Sequence, residues 1–297
     1  MIQVRVPATS ANMGPGFDSL GVALGLYNTI KVCEIEKGIS VYNNSKDYIP
    51  IGEKNLIYRS MCRVFDEVGY QKKGVKIIQN SDIPVTRGLG SSSACIIGGM
   101  LAANVISGRQ LDYSKILALS AEMEGHPDNV TPALFGGFCV SAMEDGRVIY
   151  KSHKLTYGIK FAVMVPDFFQ STKMLRGVLP ENVTLKDASY NISRASLMTS
   201  MLISGDFDGL KYAACDRLHQ NFRKINIDHF DDILNKSYEL GSKATYLSGS
   251  GSAIVSILTE DENTFLSEMN KYLGGLERKW ICKIVTIDNV GAIVKEY

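Results

Sequence analysis

The sequence is poor in the residues that mark a metal, disulfide or membrane protein. Its six cysteines, at 33, 62, 95, 139, 215 and 282, are far apart and form no CxxC pair, and only four histidines accompany them. This argues against a clustered zinc site and a disulfide framework, and implies reduced thiols and a cytoplasmic address. Neither sign of charge dominates. The 32 basic and 31 acidic residues leave a net charge of +1, which gives no global field for nucleic acid or an anionic membrane. "MIQVRVPATSA" has no basic-then-apolar leader, and the longest weakly polar run, Cys95 to Ile106, falls short of the roughly 20 residues a bilayer requires. No repeat of solenoid period and no low-complexity segment is present. A soluble intracellular protein without nucleic-acid or membrane partners is expected.

With 45% hydrophobic and 21% charged residues, the composition is that of an ordinary globular chain. Its 297 residues exceed the usual size of a single core, so two domains are expected, residues 1–155 and 156–297. "IQVRVPA" alternates like a half-buried strand, and "YNTIKVCEIE" and "GISVYNN" follow as two more, with Gly38 turning between them. Leu56, Ile57, Met61, Val64 and Phe65 recur at helical spacing and predict a helix over Lys54–Val68. Further helices are expected over Ser92–Ile106, Tyr113–Met123 and Glu262–Leu273, with a mostly helical stretch over 171–240. "GGFCVSAMEDGRVIY" reads as a hairpin turned at Asp145-Gly146. "YGIKFAVMVP", "TYLSGSGSAIVSIL" and "WICKIVTIDNVGAIVKEY" supply the later strands.

The chemistry concentrates in glycine-rich segments. "PVTRGLGSSSA", residues 84–94, has Arg87 as its only charge and runs straight into an apolar helix. The first amides of a helix lack intrahelical partners and carry partial positive charge. Glycines 88 and 90 remove the β-carbons that would hold a phosphate off the backbone. Ser91, Ser92 and Ser93 offer an N-cap, hydroxyl donors to phosphate and a magnesium ligand. A capped helix after a flexible turn would look similar. There is no GxxxxGK[ST], and Ser93 stands where a dinucleotide fingerprint needs its third glycine, so neither of those loops fits. "PATSANMGPGFDSLGVAL", residues 7–24, holds a single acid, Asp18, the only one before Glu34. "LSGSGSA", residues 247–253, reads either as a tight turn between strands or as a backbone platform for a bound ligand.

Together these three segments resemble the three motifs of the GHMP small-molecule kinases, and the match is nearest to the homoserine kinase branch. "EGHPDNVTPALFGG", residues 124–137, is the stretch most like that branch. Ser250 and Ser252 depart from the more usual Ala and Pro, while the glycines that carry the backbone geometry are kept. The resemblance implies an α+β protein in the two-domain GHMP kinase architecture. Its N-terminal domain would be ribosomal-protein-like with a left-handed crossover, its C-terminal domain ferredoxin-like, and the active site would lie in the cleft between them.

The implied activity is ATP-dependent phosphorylation of L-homoserine, a step toward threonine. Two readings stay open beside it: another small alcohol such as mevalonate as acceptor, or a silent nucleotide or metabolite sensor on the same scaffold. ATP would lie on Pro84, Arg87, Gly88, Leu89, Gly90, Ser91, Ser92, Ser93 and Ala94, with Asn55 at the adenine edge, although an asparagine there would equally cap the following helix. Magnesium would be held by Ser92, with Ser93 close behind, and by Glu124, with Glu122 as its rival. Arg176 and Arg223 resemble the family's carboxylate clamp, because a guanidinium grips carboxylate bidentately. Thr172, Asn12 and the Gly249 platform would complete the substrate pocket. Asp18 and Asn129 are the expected catalytic pair. Asn129 stands where mevalonate kinases carry an aspartate, and an amide is no base, so the hydroxyl is expected to attack in line without a strong base. His126 is read as structural, packing beside Pro127. His153, His219 and His229 show no partner in the sequence and receive no role. A homodimer is implied by the family alone.

Overall fold

The structure, a computed structural model, describes residues 1–45, 47–168, 175 and 177–297. Thr172 and Arg176 therefore lie outside the described residues. The first sheet gathers seven strands in the order β11-β1-β2-β4-β3, with β5 on β2 and β6 on β5. They are β1 (Ile2–Ala11), β2 (Leu20–Ile35), β3 (Ile39–Asn43), β4 (Gly74–Ser81), β5 (Phe138–Glu144), β6 (Arg147–His153) and β11 (Ile293–Glu296). Every pairing is antiparallel except β3 with β4, which are joined through helix α1 (Leu56–Glu67). Strand β2 starts well before the alternating stretch at Tyr27. The "LGVAL" that precedes it is buried throughout, so no period of two marks it.

Helix α2 (Ser91–Ile106) is the centre of this half. It carries no charged residue and buries twelve of its sixteen positions, Ser93 through Asn104. Such a helix is held by burial on all sides, with about 1.5–3 kcal/mol for each large apolar side chain such as Ile97, Met100 or Leu101. Helix α3 (Tyr113–Glu124) packs on it and stops at Gly125, which turns left-handed at φ 91°. Helix α4 (Val130–Phe135) follows at once.

The second sheet has the order β10-β7-β9-β8, from β7 (Lys160–Pro166), β8 (Ala244–Leu247), β9 (Ile254–Leu258) and β10 (Trp280–Thr286). Between β7 and β8 come α5 (Leu185–Ser204), α6 (Leu210–Ala213), α7 (Gln220–Arg223) and α8 (Phe230–Glu239), and α9 (Glu262–Leu273) joins β9 to β10. In chain order the strands are stacked four-one-three-two, all antiparallel, which is the ferredoxin-like βαββαβ arrangement. The chain then returns, and β11 pairs with β1 in the first sheet. The fold is thus α+β in two halves. Among the described residues no helix is long and apolar enough to cross a membrane.

Candidate active site

The three glycine-rich segments are far apart in sequence and meet in one place. The turn between β8 and β9 is fastened on both sides. Gly249 N–H donates to Ala11 O at 3.0 Å, and Ser10 and Ser248 share a buried hydroxyl–hydroxyl bond of 2.7 Å. On the other side Ala253 N–H donates to Arg87 O at 2.9 Å and Ser248 Oγ to Gly88 O at 2.6 Å. Thr9 N–H closes the triangle on Leu89 O at 3.2 Å. Backbone groups supply most of these bonds, which suits segments made of small residues.

At the mouth of α2 the N-cap is Gly90, left-handed at φ 68°, and no side chain caps the helix. The cap expected from a serine is therefore absent, and Ser91–Ser93 occupy the first turn. Their amides are the donors that a helix leaves over at this end. The two loop glycines have a use apart from the expected clearing of space for phosphate. A β-carbon at Gly90 would run into the Thr9 side chain, and one at Gly88 into Ser248 O, so the loop could not close on its neighbours.

This mouth opens into a cleft. Arg87 through Ser92 line it, whereas Pro84, Ser93 and Ala94 do not, and Ala94 is wholly buried in the core. Glu124, the last residue of α3, faces the loop across the cleft. Its Oε1 accepts from Ser92 Oγ at 2.5 Å and from Ser93 Oγ at 3.1 Å. Glu122 points elsewhere and pairs with Arg63 at the surface. Hydroxyl and carboxylate oxygens so placed are the hard donors that magnesium takes, so the residues present fit that ion.

Away from the loop the cleft is apolar, with Ile49, Pro50, Ile57 and Val85 in its wall. Asn55 lines this end, but its amide is spent locally. Oδ1 caps α1 through Tyr58 N at 3.2 Å, and Nδ2 donates to Pro50 O at 2.9 Å. The Arg87 guanidinium braces the loop, donating to Val85 O at 2.6 Å and Asp167 O at 3.0 Å.

At the other end Asn12 and Asp18 are left-handed, at φ 64° and 54°. That twist lets Asn12 Nδ2 donate to Gly249 O at 2.8 Å while its Oδ1 accepts from Asp18 N at 3.0 Å. Asn129 is held from both sides: its Oδ1 accepts from Thr9 Oγ1 at 2.7 Å, and its Nδ2 donates to Asp128 Oδ1 at 3.3 Å. His126 is more than packing beside Pro127. Its Nδ1 is hydrogen-bonded to Asp128 Oδ1, and ligand atoms of Asp18, His126 and Asp128 lie within 4.8 Å of one another. Burial opposes charge on this imidazole, but the bond and charge of Asp128, helped by Glu124 and Asp18, outweigh it and raise its pKa.

Arg223 is almost wholly buried, unlike an ordinary surface arginine, and lines the same cleft. Its Nε donates to Leu175 O at 3.1 Å, and its Nη1 reaches Gly249 O at 3.0 Å and His219 Nδ1 at 3.2 Å. His219, to which the sequence assigned nothing, is fully buried against it, and its Nε2 is 2.7 Å from Gly14 O. Burial lowers the His219 pKa. Arg223 lowers it further, and Asp216, Gly14 and Asp18 oppose this without prevailing.

A pH effect on stability follows. The unfolded imidazole takes a proton below about pH 6.5, whereas the folded one holds off to lower pH. The unfolded chain therefore binds more protons in that window, and stability falls as pH drops through it. Wild type should lose more melting temperature between pH 7 and 5.5 than His219→Gln does. Equal losses would show that this site does not carry the effect.

Comparison with known proteins gives the family. The family described as "GHMP kinases N terminal domain" matches residues 55–137, and "GHMP kinases C terminal" matches residues 195–274. The homoserine kinase of Clostridium beijerinckii is 44% identical over 297 residues, covering 100% of this chain and 99% of its own. That of Caldicellulosiruptor saccharolyticus is 46% identical, covering 99% and 96%. The crystal structure of homoserine kinase from Cytophaga hutchinsonii superimposes with a TM-score of 0.87 at 26% identity, over 99% of this chain and 97% of that one.

Proposed function

The chain belongs to the homoserine kinases of the GHMP kinase family, and we propose that its cleft carries out their reaction in the following way. The side-chain hydroxyl of L-homoserine attacks the γ-phosphorus of ATP in line, its O–P bond forming as the bond to ADP breaks, to give O-phospho-L-homoserine. The observation that carries this reading is the convergence of the three glycine-rich segments on one cleft, with Glu124 at its phosphate end and Arg223 at the other.

Main-chain N–H groups of Ser91–Ser93 receive the phosphates, an electrostatic task that needs no lysine. Ser92 and Glu124 would hold magnesium, which when bound supplies neutralisation of the triphosphate charge. The apolar wall beside Ile57 takes the base. Arg223 takes the acceptor's carboxylate, with Arg176 as its expected second arm, while Asp18 and Asn129 hold the ammonium and hydroxyl end. Because phosphoryl transfer proceeds through a loose transition state, the hydroxyl proton leaves late, onto a phosphoryl oxygen. Six free cysteines support a cytoplasmic setting.

ADP release should depend on both L-homoserine and magnesium. Release that ignores homoserine, despite measurable ATP binding, would point instead to a sensor. A panel of alcohols including mevalonate fixes the acceptor.

The absence of a strong base can be tested separately. Asp18→Asn should keep turnover within about tenfold while raising the KM for homoserine, since a general base is worth roughly 10²–10⁴. A fall beyond that range at unchanged KM would restore a proton-accepting role to Asp18.

A further inference from the structure

We propose that His219 is a positioning residue that fixes the length of acceptor the cleft admits, by locking Arg223 to the loop that carries Asp18. This rests on the acceptor reading above. The chemistry at the two ring nitrogens leaves one arrangement. Gly14 O can only accept, so Nε2, 2.7 Å away, bears the hydrogen. Nδ1 is then a bare lone pair and accepts from Arg223 Nη1 at 3.2 Å. A single neutral tautomer thus joins a loop carbonyl to a guanidinium 209 positions further along the chain.

The link is one side of a closed ring. Arg223 Nη1 also donates to Gly249 O at 3.0 Å, and Asn12 Nδ2 donates to the same oxygen at 2.8 Å. Asn12 Oδ1 accepts from the Asp18 amide, which brings the ring back to the loop. The start of α7 is pinned too. Asp216 Oδ2 accepts from the amides of His219 and Gln220 at 2.9 and 2.7 Å. Its Oδ1 accepts from Asn191 Nδ2 at 2.7 Å, and that same amide nitrogen lies 3.1 Å from Pro15 O. The His219 and Asn191 bridges therefore hold neighbouring carbonyls of one loop to one short helix. With both ends of the acceptor pocket tied, its span is set, and an amino acid one methylene shorter or longer cannot touch both.

The test is acceptor selectivity in His219→Leu and His219→Gln, with L-homoserine, L-serine and 5-hydroxy-L-norvaline as acceptors. The leucine variant should raise the KM for homoserine about tenfold, keep turnover within about threefold and leave the KM for ATP unchanged. Its preference for homoserine over the shorter and longer acceptors should shrink by about the same factor. Glutamine, which still offers an N–H to Gly14 O, should recover most of that preference. Unchanged selectivity in the leucine variant, or a parallel loss of turnover and ATP affinity, would overturn the proposal. If the leucine variant does not melt cooperatively, His219→Asn, which loses the tie to Gly14, must show the same loss of preference. If wild type shows no homoserine-dependent ADP release, the acceptor reading fails. If it does and the variants stay selective, only this inference fails.

Discussion

Replacing Glu124 by glutamine is expected to lower turnover about 10²–10³-fold and to shift the magnesium requirement upward, with little change in melting temperature. The magnitude is that of removing one fixed charge or dipole from a phosphoryl or acyl transition state. The structural cost should be small because glutamine has the same shape and still accepts from Ser92 Oγ, now 2.5 Å from the carboxylate. What disappears is the negative charge, which no cationic side chain among the described residues neutralises by an ion pair. A half-buried carboxylate beside two hydroxyls, at the positive end of a charge-free helix, suits the magnesium site proposed for it. Glu122→Gln is the matched control. It removes one partner of a surface pair with Arg63, 63% exposed on the glutamate side, and such pairs are worth about 0–1 kcal/mol. Near-normal turnover in Glu124→Gln together with a crippled Glu122→Gln would transfer the metal role to the rival.

How much of this site the sequence disclosed depends on which atoms do the binding. Charge-poor, glycine-rich segments are visible as composition, so the loop at Gly88–Ser93 and the turn at Gly249 could be read directly. The strand–helix framework was visible where one face is wet, as in α1, whose apolar spacing stops at Phe65. It was lost where both faces are buried. The start of β2 at Leu20 and the short α4, with Pro132 inside it, have no periodicity to show.

The histidines illustrate the deeper limit. His219 and Arg223 are four apart and share a helical face, a relation the sequence does contain. The other half of the device is a backbone carbonyl at Gly14, and carbonyls have no identity in a sequence. The Asp128 partner of His126 was hidden for a related reason. Asp128 is two residues away, a spacing that does not mark a pair on a helix, and only the turn after Gly125 brings the two side chains together. Asn55 is the opposite case. Both of its possible uses were legible, and the structure shows the capping bond.

Arg223→Lys should raise the KM for homoserine about a hundredfold while changing the KM for ATP little. The arginine is 1% exposed and its plane is fixed by neutral acceptors on two sides, Leu175 O at Nε and Gly249 O with His219 Nδ1 at Nη1. Those bonds commit Nε and both Nη1 hydrogens, so the carboxylate contact falls to Nη2, held in a fixed plane at little further entropic cost. Lysine keeps the charge but cannot hold that plane. It loses at least one charge-assisted hydrogen bond, about 1.5–3 kcal/mol, which at the upper end is roughly two orders of magnitude in binding. Part of the loss should appear as stability, since Leu175 O and His219 Nδ1 would be left without their donor in a dry pocket. The separation of the two effects decides the case. Loss of stability with an unchanged homoserine KM would make Arg223 a strut of the fold, and a raised KM for ATP alone would move it to the nucleotide. A homoserine KM that rises far more than the melting temperature falls is what the proposed grip of Arg223 on the substrate's carboxylate requires, because that contact would be made in a region that water screens poorly.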